Sequence, residues 1–115
     1  MPHLVRPSDG YIVATDAELA ATWRRRAIGY LGRAAIPSGS ALILAPCRAI
    51  HTWGMRIPIA AVFIDRDWRV VRIFTRVPPW RMINGGRRAW GVVELAADAE
   101  SAFRLTPGDR LEFTA

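Results

Sequence analysis

Cys47 and His51 are the two side chains in this sequence whose types and spacing come nearest to covalent chemistry. A thiolate beside an imidazole is the minimum for a cysteine nucleophile. On an extended strand, positions four apart share a face but lie about 13 Å from each other. The pair therefore works only if the chain bends between them, and otherwise Cys47 packs as a small buried hydrophobe. His51 alone can shuttle a proton or bind an anion near neutral pH, or it can hold a loop through backbone hydrogen bonds. No acid stands near it in the sequence to orient the ring. The run Ile50-His51-Thr52-Trp53, with Arg56 just beyond it and Arg81 in a later loop, suits a different task. Guanidinium groups fork onto carboxylate and phosphate, and aromatic rings stack on the ligand or on the guanidinium. His51, Thr52, Trp53, Arg56 and Arg81 are accordingly the candidate ligand-binding residues. The Arg87-Arg88 pair, Trp80 and Trp90 are further members of the same candidate surface, and single-stranded nucleic acid would also fit it. Arginines that merely cover the surface over tryptophan core plugs are the ordinary alternative.

The rest of the composition narrows the field. The 115 residues suit one domain, with 51% hydrophobic and 23% charged residues, an ordinary globular balance. All sixteen basic residues are arginine and the formal net charge is +6. That favours anionic partners without choosing among small anions, lipid and nucleic acid. A single cysteine rules out an internal disulfide and a four-thiolate zinc site, and points to a reducing compartment. With no apolar stretch at the N-terminus and no apolar run longer than Ile57 to Ile64, no signal peptide or membrane span is expected, and the expected location is cytoplasmic. His3 and His51 are the only histidines, and no metal-ligand spacing surrounds either. Gly85-Gly86 lacks the lysine and the strand–loop–helix setting of a phosphate loop. No cofactor is expected.

The elements that must position these residues follow from turn signals and apolar runs. His3 to Arg6 and Tyr11 to Thr15 read as short strands about the Ser8-Asp9-Gly10 turn. Asp16 either caps a helix from Ala17, or the strand continues to Leu19 with Thr22 as the cap. Trp23, Ala27, Tyr30 and Leu31 fall at helical spacing, with Gly32 as a stop. Ala41 to Ala45 and Ile57 to Ile64 read as buried strands. Asp65-Arg66-Asp67 turns the second of these into a return strand, Trp68 to Thr75. Pro78-Pro79 and Gly85-Gly86 make Val77 to Ala89 a long loop, stiff at one end and loose at the other. Trp90 to Leu95 reads as a strand, Ala97 to Leu105 as a short helix, and Arg110 to Phe113 as a last strand after the Thr106-Pro107-Gly108-Asp109 turn. No βαβ rhythm appears. The fold class expected is α+β, a mainly antiparallel sheet or partly closed barrel with one or two short helices.

The run from Cys47 through His51-Thr52, Trp53-Gly54-Met55 and Ile57-Pro58-Ile59 to Asp65 resembles the signature segment of the domain of unknown function 192 family. Arg26 to Arg33, Val92 to Leu95 and Leu105 to Leu111 are similar to its other blocks, in the right order. Two positions depart from the pattern, Ala60 where the family usually carries an acid and Tyr30 where it usually carries leucine. The resemblance implies a compact strand-rich α+β fold, a turn at Asp9-Gly10, and a strand running on toward Leu19. It implies no activity and no catalytic residues. Three readings of function stay open: a small module that binds an anionic small molecule or peptide, a hydrolase or transferase using Cys47 and His51, and a basic nucleic-acid-binding domain.

Overall fold

The computed structural model describes residues 1–20, 22, 30 and 34–114. Among them, the apolar runs of the middle and later chain line up in one five-stranded sheet. It is built from β3 (Asp16–Leu19), β4 (Ser40–Leu44), β9 (Gly91–Ala96), β6 (Ile59–Ile64) and β7 (Val70–Val77), side by side in that order. Strands of a sheet covered on one face alternate apolar and polar residues. Here all six residues of β6 are buried, as are five of the six in β9. The reason is that a separate core lies against each face.

One core gathers Ile43, Ala60, Val62, Ile64, Val93 and Leu95 with Leu4, Val13 and Leu111. Over it lies a three-stranded sheet in the order β10 (Glu112–Thr114), β1 (His3–Arg6), β2 (Tyr11–Ala14). The helix α1 (Glu100–Arg104) adds Ala102 to the same core. The other core gathers Leu42, Leu44, Ile59, Ala61, Phe63 and Val92. It is covered in part by a two-stranded ribbon of β5 (Ala49–His51) and β8 (Met82–Asn84), through Ile50 and Ile83. Residues two apart in β4 and β6 thus belong to the same core and neighbours to opposite ones, as the pleat requires.

The chain is mostly strand with one short helix among the described residues, so the α+β reading holds in outline. None of the described sheets closes into a barrel. All described pairings but one are antiparallel; the exception is β3 beside β4, in register from Asp16↔Ser40 to Leu19↔Ile43. At Asp16 the chain is extended rather than helical, but Thr15 separates β3 from β2 and the two join different sheets; the expected cap at Thr22 borders residues outside those described. A parallel pair needs a long connection, which residues 20–39 provide. The expected helix through Trp23, Ala27 and Leu31 falls outside the described residues, although Tyr30 is described and buried. The β6–β7 hairpin stands as expected, with a turn set by Asp65, whose Oδ1 accepts the backbone N–H groups of Asp67 and Arg69 at 2.9 and 3.0 Å.

The Val77 to Ala89 segment differs from expectation. It holds the strand β8, paired with β5 in the register Ala49↔Asn84, Ile50↔Ile83, His51↔Met82. Nor does Gly85 loosen it. A Cβ there would sit 2.5 Å from the Phe63 ring and from Ala89 Cβ. The glycine is what lets the ribbon lie down on the sheet.

Candidate functional site

The candidate residues sit where the β5–β8 ribbon ends and the chain turns back toward β6. Thr52 organises that corner. It is fully buried. Its N–H donates to the Arg81 carbonyl at 2.7 Å, and its own carbonyl accepts the Trp80 N–H at 3.0 Å and the Met55 N–H at 3.1 Å. The hydroxyl donates to the Pro78 carbonyl at 2.7 Å and accepts the Arg81 N–H at 2.8 Å. Every polar group of Thr52 is therefore spent on tying residues 52–55 to residues 78–81. It presents no surface to a ligand, and its part in the site is to hold the others.

The Met55 to Thr52 hydrogen bond closes a four-residue turn with Gly54 at the third position, at φ +81°. A left-handed third residue is the signature of a type II turn and selects glycine. Met55 then enters the second core, 7% exposed. The aromatic-glycine-methionine order thus has a plain physical role. Glycine makes the turn, methionine anchors it, and the aromatic residue is left outside.

What is left outside is apolar and aromatic. His51 at the end of β5 and Trp53 in the turn are both exposed, and their rings meet at 5.2 Å with a tilt of 37°. Met82, the cross-strand partner of His51, is 64% exposed. Trp53 is 49% exposed and Trp80 68%. Trp80 also holds a left-handed backbone, φ +66°, uncommon for a bulky residue and a mark of local strain. The hydrogen bond that its N–H donates to the Thr52 carbonyl helps keep it there. Arg56 and Arg81 are exposed on the two tied segments. Among the described residues no carboxylate pairs with either guanidinium, whereas Arg6, Arg76 and Arg104 all have acidic partners.

The structure brings His51, Thr52 and Trp53 together with Trp80 and the Arg81 backbone, and it places Arg56 just past the turn. Trp90 does not join them. It is half-buried and packs edge-on against Trp68 at 6.3 Å. The Cys47 thiol donates to the Ala49 carbonyl at 3.2 Å and packs against the second core, while the His51 ring lies on Trp53. Met82 was not foreseen as a member of the face, since its exposure depends on the β5–β8 register. Among the described residues, no three of His, Cys, Asp and Glu gather as a metal-ligand set, and no helix is long and apolar enough to cross a membrane. Glu94 is buried on the second core face, where its Oε1 accepts the Tyr30 N–H at 3.3 Å.

The fold and the signature turn agree with one family. Residues 4–113 match DUF192, described as an uncharacterized ACR, and the chain belongs to that family. Ala60, where the signature leads one to expect an acid, is fully buried in the first core. Two solved structures are similar at a TM-score of 0.78 and 22% identity each. One is a protein of unknown function from Novosphingobium aromaticivorans, with 96% of this chain and 82% of that chain covered. The other is a putative transcription regulator from Sinorhizobium meliloti, with 97% of this chain and 91% of that chain covered. At that identity they speak for the fold alone. No curated protein gives a significant match.

Proposed function

We propose that this protein is a small cytoplasmic binding module whose ligand is an anionic small molecule or peptide with an apolar or aromatic body. The ligand would lie on the corner formed by His51, Trp53, Arg56, Trp80 and Arg81, with Met82 at its edge. The observation that carries this reading is the exposure of Trp53 and Trp80 on two segments locked together through Thr52. Large aromatic surface held rigidly in water costs solvation without helping the core, and it loses little entropy when a ligand covers it. Arg56 and Arg81 add positive charge that no described carboxylate neutralises, which selects anions over neutral aromatics.

A thermal-shift screen of anionic metabolites and acidic peptides tests the reading. It predicts a stabilising ligand whose affinity falls about tenfold or more in His51→Ala and in Arg56→Ala, the scale of one lost charge-assisted contact. A ligand whose stabilisation survives both substitutions would place the site elsewhere.

Nucleic-acid binding is the second reading. A strand ribbon flanked by arginines and exposed tryptophans suits stacking of unpaired bases, and the similar Sinorhizobium protein is described as a putative transcription regulator. This reading requires binding that weakens steeply with salt; no binding of a single-stranded oligonucleotide at low salt would end it. The cysteine-hydrolase reading has less behind it, because the hydrogen bond of Cys47 to Ala49 and the packing of His51 on Trp53 serve the ribbon rather than a nucleophile–base pair.

A further inference from the structure

The β5–β8 ribbon has two ends. Trp53 and Trp80 lie at one. At the other, beyond the rung where the Gly85 N–H donates to the Arg48 carbonyl at 2.9 Å, is a cleft of about 360 Å³. That volume is in the range that takes a small ligand. Four arginines line it, Arg48, Arg66, Arg87 and Arg88, with two aspartates, Asp65 and Asp67. Trp90 forms part of the wall.

This wall is rigid. The Cys47 N–H donates to the Trp90 carbonyl at 2.7 Å, and the Trp90 N–H donates to the Ile64 carbonyl at 2.8 Å, so the cleft is stitched to the end of β6. The Trp90 ring is braced by Trp68. The Arg48 guanidinium is already placed, since its Nη2 donates to the Arg87 carbonyl at 3.0 Å. Asp65 is turned to its own hairpin, where Oδ1 accepts two backbone N–H groups. Four guanidiniums against two carboxylates leave an excess of two positive charges in one small concavity. Among the described residues none of the four arginines forms an ion pair.

Guanidinium forks match the oxygens of a phosphate, and several of them converging on one cleft favour a compact, doubly charged anion. The two aspartates weigh against a continuous polyanion threading through, because its flanking charges would run past them. We propose that this cleft is an anion site for the terminal phosphate of a small phosphate monoester, separate from the aromatic corner.

The test uses the full chain and inorganic phosphate as the probe, with sodium chloride holding ionic strength constant. Thermal shift and calorimetric titration should show stabilisation by millimolar phosphate that chloride does not give. Arg87→Ala combined with Arg88→Ala should weaken phosphate binding about tenfold or more, and Arg56→Ala should leave it unchanged. Both side chains are exposed, so the double variant should fold; Arg66→Ala, at another exposed position, gives an independent loss if it does not. Phosphate acting no more strongly than chloride would overturn the proposal. So would phosphate binding that survives both variants. An oligothymidylate without terminal phosphates that bound through the same arginines more tightly than phosphate would overturn the monoester assignment in favour of a nucleic-acid strand.

Discussion

Thr52 links two segments whose candidate residues are far apart in sequence. Its hydroxyl hydrogen is given to Pro78 and its lone pair to the Arg81 amide, 26 and 29 residues further on. Thr52→Val keeps the shape but takes the hydroxyl partner from the Pro78 carbonyl and the Arg81 amide at a part-buried corner. The expected cost is about 1–3 kcal/mol, measured by urea denaturation. Thr52→Ser keeps the hydroxyl and should lose clearly less; equal losses would mean that the hydroxyl is not the tie. The sequence marks His51 to Arg56 as unusual, and the structure puts the corner there. Local sequence could not separate Thr52, which holds the corner, from Trp53 beside it, which is exposed, because the difference lies in contacts to residues outside the local window. Asp65 was more legible. An aspartate followed by Arg66-Asp67 is a turn signal with a local mechanism, its carboxylate capping the backbone two and four residues on.

At the scale of elements, the legible part was the apolar strands. Ala41 to Ala45 and Ile57 to Ile64 were apolar runs and Trp90 to Leu95 was one interrupted by Glu94, and β4, β9 and β6 lie in the middle of the large sheet with a core on each face. Their ends were off by a residue or two, since Ser40 and Ala96 join strands through backbone pairing that carries no apolar signal. The ribbon was not legible. β8 has three residues, and Pro78-Pro79 and Gly85-Gly86 around it are true local turn signals. What makes it a strand is pairing with β5, on a ribbon that packs on the second core through Ile83 and, at Gly85, against Phe63, all long-range effects. Gly85 is the contact point. Gly85→Ala drives a Cβ into a fully buried ring and should destabilise by about 1–3 kcal/mol, the usual cost of overpacking. Gly86→Ala, where a Cβ meets no atom within 4 Å but the φ is +88°, should leave the Phe63 packing intact. Comparing the two melting curves, with near-ultraviolet circular dichroism for the aromatic environment, checks this. An undisturbed aromatic signal in Gly85→Ala would show that the ribbon does not rest on Phe63.

At the scale of the whole molecule, the far side of the protein is held by charge. Arg6 in β1 grips Asp9 with two hydrogen bonds, at 3.0 and 2.7 Å, and reaches Asp109 at 2.9 Å and the Arg104 carbonyl at the end of α1 at 3.0 Å. One guanidinium thus joins the three-stranded sheet, the helix and the last turn. The Arg6 hydrogen bond, helped by the Tyr11 N–H, pulls the Asp9 carboxyl down to about 2. Burial pushes Asp109 up, but the Thr106 N–H and Arg6 outweigh it and the net direction is down. A carboxyl depressed in the folded state binds its proton more readily when unfolded. Its stabilisation is therefore complete above the unfolded value near 4 and is lost as pH falls toward about 2. Arg6→Ala should lower stability at neutral pH and flatten the fall between pH 5 and pH 2, read as urea midpoints. An acid limb as steep as in the parent would show that the network does not govern it. The basic charge itself was plain in the composition. Its division into a structural arginine here and, around the ribbon, arginines that form no ion pair among the described residues depends on the fold.

The corner of His51, Trp53, Arg56, Trp80 and Arg81 as the binding face is the central claim. Amide chemical-shift mapping with the anion that gives the largest thermal shift in the screen tests it directly. The expected perturbations concentrate at residues 51–56 and 80–82 and shrink in Trp53→Ala and in Trp80→Ala. Perturbations centred elsewhere, or unchanged in both variants, would contradict it.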